Sequence, residues 1–462
     1  MTNWIPNIEA QKGPRYVAIA QALATDVAAG RLHAGERLPT HRDLAWKLGV
    51  TVGTVTRAYA EAERRGLVAG EVGRGTFVRE RGGETLPALP PAEADGNFID
   101  LTRNFPPDSP TDRVIADTIA EIGTRGDVAS LLRYATPPGQ AAHRLAGAQW
   151  LQRRGIKADP EQVVIASGAQ HGMLLAMSTL ARPGDVVLTE QLTFYGMKSL
   201  AAMLSLRLHG VAMDDDGLLP DALEAACRQM QPKALYCVPT LHNPTTVVTA
   251  PERREAIAEI CRRYGVTIVE DDVYGFLPQP APAPIATFAS DITVFVTSLS
   301  KSVAPGLRFG LVYAPAAITA RLIGALRSTT WMATPLTAEV ATRLIRSGAA
   351  AKLADWQREE AIARQLIARR LFGNVEYASH PASFHIWLKL PEPWRREEYT
   401  AQARRRGVGV ASADAFAVGR APEPHAVRIG LSAARDRAEL ERALTVLAAL
   451  LREQPETASP MV

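Results

Sequence analysis

With 462 residues the chain is long enough for about two or three domains, each with a sizeable core. Hydrophobic residues make up 47% and charged residues 22%, an ordinary globular composition, and no uninterrupted apolar run is long enough to span a bilayer as a helix. Of the formal net charge of +4, residues 1–80 carry +3, eleven Lys/Arg against eight Asp/Glu, which permits a nucleic-acid partner without establishing one. The opening stretch MTNWIPNIEAQKGPR lacks the apolar core of a signal peptide, so the expected location is the cytosol, with no membrane partner. Cys227, Cys237 and Cys261 have neither metal-ligand spacing nor an even count, and buried thiols are expected.

From Tyr16 to Val27, apolar residues Val17, Ala20, Ala24 and Val27 recur at helical spacing. After Gly35-Glu36-Arg37-Leu38-Pro39, Thr40 is a good N-cap for a helix that turns Leu44, Ala45 and Leu48 inward. Gly49 then supports a tight turn. A third helix starts at Thr51, with Val52, Val55, Tyr59 and Ala62 expected on its buried face and Thr51, Gly53, Thr54 and Arg57 on the other. Small and hydroxyl residues near the N-terminus, with an arginine a turn later, suit a helix lying in a major groove. Two short strands follow, one from Gly66-Leu67-Val68 and one over Gly73–Val78, and Arg74 at the tip between them can meet a phosphate or the minor groove.

These elements, in this order, resemble the winged helix-turn-helix of the GntR regulators. The resemblance implies a DNA-binding domain over residues 1–79, with Arg42, Thr51, Thr54, Arg57 and Arg74 as DNA-contacting residues. His41 stands where that family usually has Ser or Thr.

Residues 80–98, rich in Pro, Gly and acidic residues without periodicity, read as a linker. Beyond it, apolar strand patterns at 163–166, 186–189, 234–238, 266–270, 293–296 and 309–313 alternate with helical ones such as 171–180 and 252–264. This order predicts an α/β domain over 99–462: a mostly parallel sheet covered on both faces, ligands at the strand ends, and a smaller α+β lobe from about residue 350. The Pro-Ala alternation at 278–284 reads as a surface loop.

The strand ends carry the chemistry. Ser167-Gly168-Ala169 opens a helix whose first amides favour an anion. Phe194 and Tyr195 stand just past the second strand, where a ring can stack or simply join the core. His242-Asn243-Pro244 ends the third strand pattern and offers an amide. Glu270-Asp271-Asp272-Val273-Tyr274 puts acids where a buried strand ends. In Thr297-Ser298-Leu299-Ser300-Lys301, a lysine sits in a hydroxyl-rich loop with Arg308 seven positions on, as an aldehyde cofactor with a phosphate requires. Taken alone, that loop is equally an ordinary surface turn.

As an ordered set these residues resemble the class I/II aminotransferases, fold-type I enzymes of pyridoxal 5′-phosphate (PLP). The resemblance implies Lys301 as Schiff-base lysine and catalytic base, and Asp271 as partner of the pyridine nitrogen. It further implies Asn243 and Tyr274 on the ring oxygen, Phe194 stacked on the ring, and Gly168, Ala169, Ser298, Ser300 and Arg308 around the phosphate. Tyr134 matches a tyrosine that reaches the neighbouring subunit's phosphate, which implies a homodimer. Arg428, with Asn243, matches the pair that binds the substrate α-carboxylate; an arginine in a surface ion pair is the plainer alternative. His171 is expected to pack rather than catalyse.

A GntR-type head on an aminotransferase-like domain resembles the MocR-type regulators. That implies a PLP-dependent transcriptional regulator that binds double-stranded operator DNA and senses PLP or an amino-acid or amine effector. A working aminotransferase with a secondary head is the alternative, and a PLP-binding scaffold acting through protein contacts is a third.

Overall fold

The computed structural model describes residues 4–6, 14–28, 31–33, 35–64, 67–71, 75–78, 98–125, 128–419 and 424–453. The linker expected over 80–98 (residue 98 apart) and Arg74 lie outside them. The chain divides into two compact units, Met1–Ala88 and Leu89–Val462.

The first unit has three helices, α1 (Arg15–Ala28), α2 (His41–Leu48) and α3 (Val52–Arg64), and a hairpin of β1 (Val68–Glu71) and β2 (Gly75–Val78). Thr40 caps α2, its hydroxyl accepting the Asp43 amide, and Gly49 closes α2 at φ +62, where a side chain would be strained. Ile19, Leu23, Leu38, Leu44, Val55, Ala58, Tyr59 and Ala62 form its core. The hairpin is antiparallel, pairing Val68 with Val78 and Glu71 with Gly75. One expectation fails here: Val52, assigned to the buried face of α3, is 45% exposed. Side chains on a helix lean toward its N-terminus, and the first residue has no preceding turn to lean on.

The second unit is built on a seven-stranded sheet. Its strands are β3 (Val163–Ser167), β4 (Val186–Glu190), β5 (Arg207–Val211), β6 (Ala234–Cys237), β7 (Thr267–Asp271), β8 (Thr293–Ser298) and β9 (Phe309–Tyr313), in the order β3-β9-β8-β7-β6-β4-β5. All neighbours are parallel except along β9, which runs antiparallel to both β8 and β3. Successive side chains of a strand point to opposite faces, and here both faces are covered. Val163 and Ile165 enter one core with Trp150, Leu151 and Leu344, whereas Val164 and Ala166 enter another with Met173, Met177 and Leu326. Such double burial explains why these strands read as continuous apolar runs. The edge strand β5, Arg-Leu-His-Gly-Val, is half exposed and had no such signature.

The C-terminal lobe packs the helices Ala349–Phe372, Arg396–Arg405 and Arg437–Arg452 on a four-stranded sheet of Tyr377–Ala378, His385–Lys389, Ala411–Ser412 and Ala426–Gly430. Ile99–Asp100 pairs in parallel with Val408–Gly409, so the segment after residue 98 belongs to this lobe before it crosses to the large sheet. The Pro-Ala segment is not a plain surface loop: Pro278 and Pro284 are buried, and the carbonyls of Pro282 and Ala283 accept from Arg154 and Arg254. All three cysteines are buried and free.

Candidate functional site

The C-terminal ends of the parallel strands and the start of the helix α4 (Ala169–Leu180) surround a cavity of about 240 Å³. At one end Gly168 precedes α4 at φ +86, and no side chain caps the helix, so its first amides stay open to an anion. A Cβ at Gly168 would overlap the Arg308 guanidinium, which donates to the Ser167 carbonyl at 3.2 Å. Arg308 is held close by an unusual backbone angle for a residue with a side chain, φ +47. Ser298 is buried and its hydroxyl accepts the Ser300 amide, while Ser300 Oγ is buried with no partner. A buried hydroxyl without a partner, uncapped helix amides and a guanidinium thus line the same cavity.

In the middle of the cavity Asp271 ends β7, in register with Val296 of β8. Its Oδ2 accepts from the Tyr236 hydroxyl at 2.8 Å. Burial raises its carboxyl to about 6, against the lowering effects of the Tyr236 bond and the nearby Lys301 charge. Lys301 Nζ donates to the Asn104 carbonyl. Burial lowers its ammonium to about 8, aided by the like charge of Arg428 and opposed by Asp271. Tyr274 is buried, and its oxygen accepts from Asn104 Nδ2 at 2.8 Å. Phe194 forms a wall with Tyr195, their rings tilted at 4.8 Å.

Arg428 stands mid-strand in Ala426–Gly430, fully buried. Its Nη1 donates to Asn243 Oδ1 at 2.7 Å, Nη2 donates to the Thr102 carbonyl, and Nε has no partner. The guanidinium lies 4.8 Å from the centre of the Phe416 ring, and burial lowers its pKa. The surface-ion-pair alternative is therefore wrong: this cation is inside, beside Lys301, facing the cavity.

Of the seventeen residues singled out in the sequence, the cavity of the large unit gathers Lys301, Asp271, Asn243, Tyr274, Phe194, Ala169, Ser298, Ser300, Arg308 and Arg428, with Gly168 at its rim. Tyr134 is not among them. It is 85% exposed, its ring edge-on to Trp331 at 6.1 Å. In the head, Arg42, Thr51 and Arg57 are exposed and Thr54 is half-buried. His171 packs as expected, accepting the Ser167 amide and pairing with Thr329.

The sequence reading missed Asn104. Besides Lys301 and Tyr274 it bonds His385 Nδ1 at 3.0 Å, so one residue gathers three elements far apart in the chain. The Pro-Pro pair at 106–107 marks an extended segment but gives no hint of these contacts. Tyr236 was missed too, although a lone hydroxyl in the apolar strand Ala-Leu-Tyr-Cys was a usable signal.

Residues 96–447 match the family described as aminotransferase class I and II, and residues 15–78 match the gntR family of bacterial regulatory proteins. The chain thus belongs to the class I and II aminotransferase family by its large unit, and its head is a GntR-type DNA-binding domain. Joined in one chain, they place it among the MocR-type regulators. Over 450 residues it is 30% identical to an uncharacterized HTH-type transcriptional regulator of Bacillus subtilis, YdeF, with 97% of each chain covered. It is 27% identical to the HTH-type transcriptional regulator TauR of Rhodobacter capsulatus, over 84% of this chain and 87% of that one. Among solved structures, the kynurenine aminotransferase of Pyrococcus horikoshii shares the fold, with a TM-score of 0.72 at 23% identity over 78% of this chain and 91% of that one. Among the described residues no helix is long and apolar enough to cross a membrane.

PLP is the cofactor of this family, and the donor set fits it. Ser300 Oγ lacks a partner, and the space beside Gly168 holds the Arg308 guanidinium over free helix amides. A buried amine and a buried carboxylate complete the set, at the cavity's centre.

Proposed function

We propose that the chain is a PLP-dependent transcriptional regulator: residues 99–462 bind PLP and sense an amino compound, residues 1–79 bind an operator, and residues 80–98 join them. The observation that carries the ligand half is Arg428, a buried guanidinium fork that faces Lys301 and, among the described residues, is paired to no carboxylate. Such a fork suits bidentate capture of an amino acid's carboxylate.

Bound in the cavity, PLP supplies an aldehyde that condenses with amines and a ring that withdraws electrons. Gly168, Ala169, Ser298, Ser300 and Arg308 would hold its phosphate. Asp271 would offer its carboxylate to the pyridine nitrogen and favour a proton there. Asn243 and Tyr274 would bond the ring oxygen, and Phe194 would stack on the ring. Lys301, with its ammonium held near pH 8, can take up and release a proton at Nζ close to neutrality. Exposed Tyr134 is free to reach the phosphate end of a second copy, in keeping with a homodimer whose two heads read two half-sites.

A second reading, turnover as an aminotransferase, is favoured by the complete set of Lys301, Asp271 and Arg428. A gel shift on the DNA upstream of the coding region, with and without PLP and a panel of amino acids and amines, separates the two when run beside an absorbance scan. Specific binding that responds to a ligand which also perturbs the PLP absorbance supports the regulator. Brisk turnover with no specific DNA binding supports the enzyme.

A further inference from the structure

The exposed first turn of α3 carries an apolar side chain that its spacing assigned to the buried face. Thr51 Oγ1 accepts the Thr54 amide at 3.2 Å and is hydrogen-bonded to Thr54 Oγ1 at 2.9 Å. Thr56 Oγ1 donates back to the Val52 carbonyl at 3.0 Å. The Thr56 hydroxyl is thus tied to the helix backbone, and the Thr51 and Thr54 hydroxyls to each other with one proton left to donate. Val52, 45% exposed, projects from the first helical position, with exposed Thr56 one turn on and exposed Arg57 beside it. The head's core takes Val55, Ala58, Tyr59 and Ala62 from this helix and leaves Val52 out, so packing does not require a valine at 52.

A single exposed valine is unremarkable on most surfaces. This one stands at the N-terminal end of the helix that a winged helix-turn-helix lays in the major groove, where side chains meet base edges. Of the four bases only thymine shows a methyl group in that groove, and apolar side chains read it by contact. On the reading of the head as operator-binding, we infer that Val52 is a specificity-determining residue: it selects thymine at one position of each half-site through the 5-methyl group. Arg57, exposed farther along the same helix, is a polar reader available to the same site.

The test needs no knowledge of the natural operator. Full-length, PLP-loaded protein selects duplexes from a random library, and each thymine of the enriched site is then replaced singly by deoxyuridine, which lacks only the methyl. Loss of one buried methyl contact predicts about a fourfold drop in affinity at one thymine per half-site. Val52→Ala, which suits a helix, should bind the thymine duplex more weakly and no longer distinguish deoxyuridine there. If no position is sensitive to deoxyuridine, or Val52→Ala keeps the full sensitivity, the assignment of Val52 is wrong while DNA reading by the head stands. If selection enriches no sequence, the reading of the head fails and the assignment falls with it.

Discussion

The two units offer opposite physical settings for recognition. The head presents Arg42, Val52 and Arg57 on exposed surface, in water, where charges act through phosphate neutralisation and counterion release. The large unit buries Arg428 and Asp271, and its walls shift Lys301 to about 8 and Asp271 to about 6. Salt should therefore govern the first site and pH the second. A regulator built this way should respond to two solution variables through two surfaces, each open to being disabled by itself.

The hardest break is Lys301→Ala, which should abolish the visible absorbance band of the PLP-bound protein; a band of unchanged position and intensity would refute the assignment. Next, Arg428→Ala should cost about 2–5 kcal/mol of affinity for a carboxylate-bearing ligand, since it removes a buried charged partner. Titration of the spectral change measures that loss, and Arg428→Lys should recover little of it. Operator affinity without ligand should not change in either variant.

In the head, Arg57→Ala should weaken operator binding by about 1–3 kcal/mol at fixed salt and leave the PLP spectrum intact. A spectral change with unaltered DNA binding would overturn the division of labour. The smallest effect is the pH dependence. Because the Lys301 ammonium is lowered from 10.5 to about 8, its neutral amine becomes available as pH rises through 8. Capture of PLP by PLP-free protein should therefore rise by about tenfold from pH 7 to 9 and then level off, where an ordinary lysine would keep climbing. High salt should leave that profile in place while it abolishes DNA binding.

Lys301, Asp271 and Arg308 were legible because each stands at the end of an apolar strand, where the chain's own pattern announces a change from core to site. The sheet was legible for the same reason, except at its edge: β5 pairs with one neighbour only, and its mixed sequence carries no burial signal. Asn104 was not legible. Its contacts reach Tyr274, Lys301 and His385 across 170 to 281 positions, and no local spacing encodes them. Val52 misled because helical spacing marks a face but not whether anything covers it at the helix's first residue.

The burial of Arg428 also bears on heat. A guanidinium fully removed from water, with an amide oxygen and a backbone carbonyl as partners and Nε unpaired, is poorly compensated. On the role proposed for Arg428, a docked carboxylate would offset that desolvation cost. Ligand at a hundred times its dissociation constant adds about 2.7 kcal/mol to the folded state. An amine without a carboxylate leaves the guanidinium as it was. On that proposal, resistance to thermal unfolding should rise with a carboxylate-bearing ligand and not with an amine that lacks one.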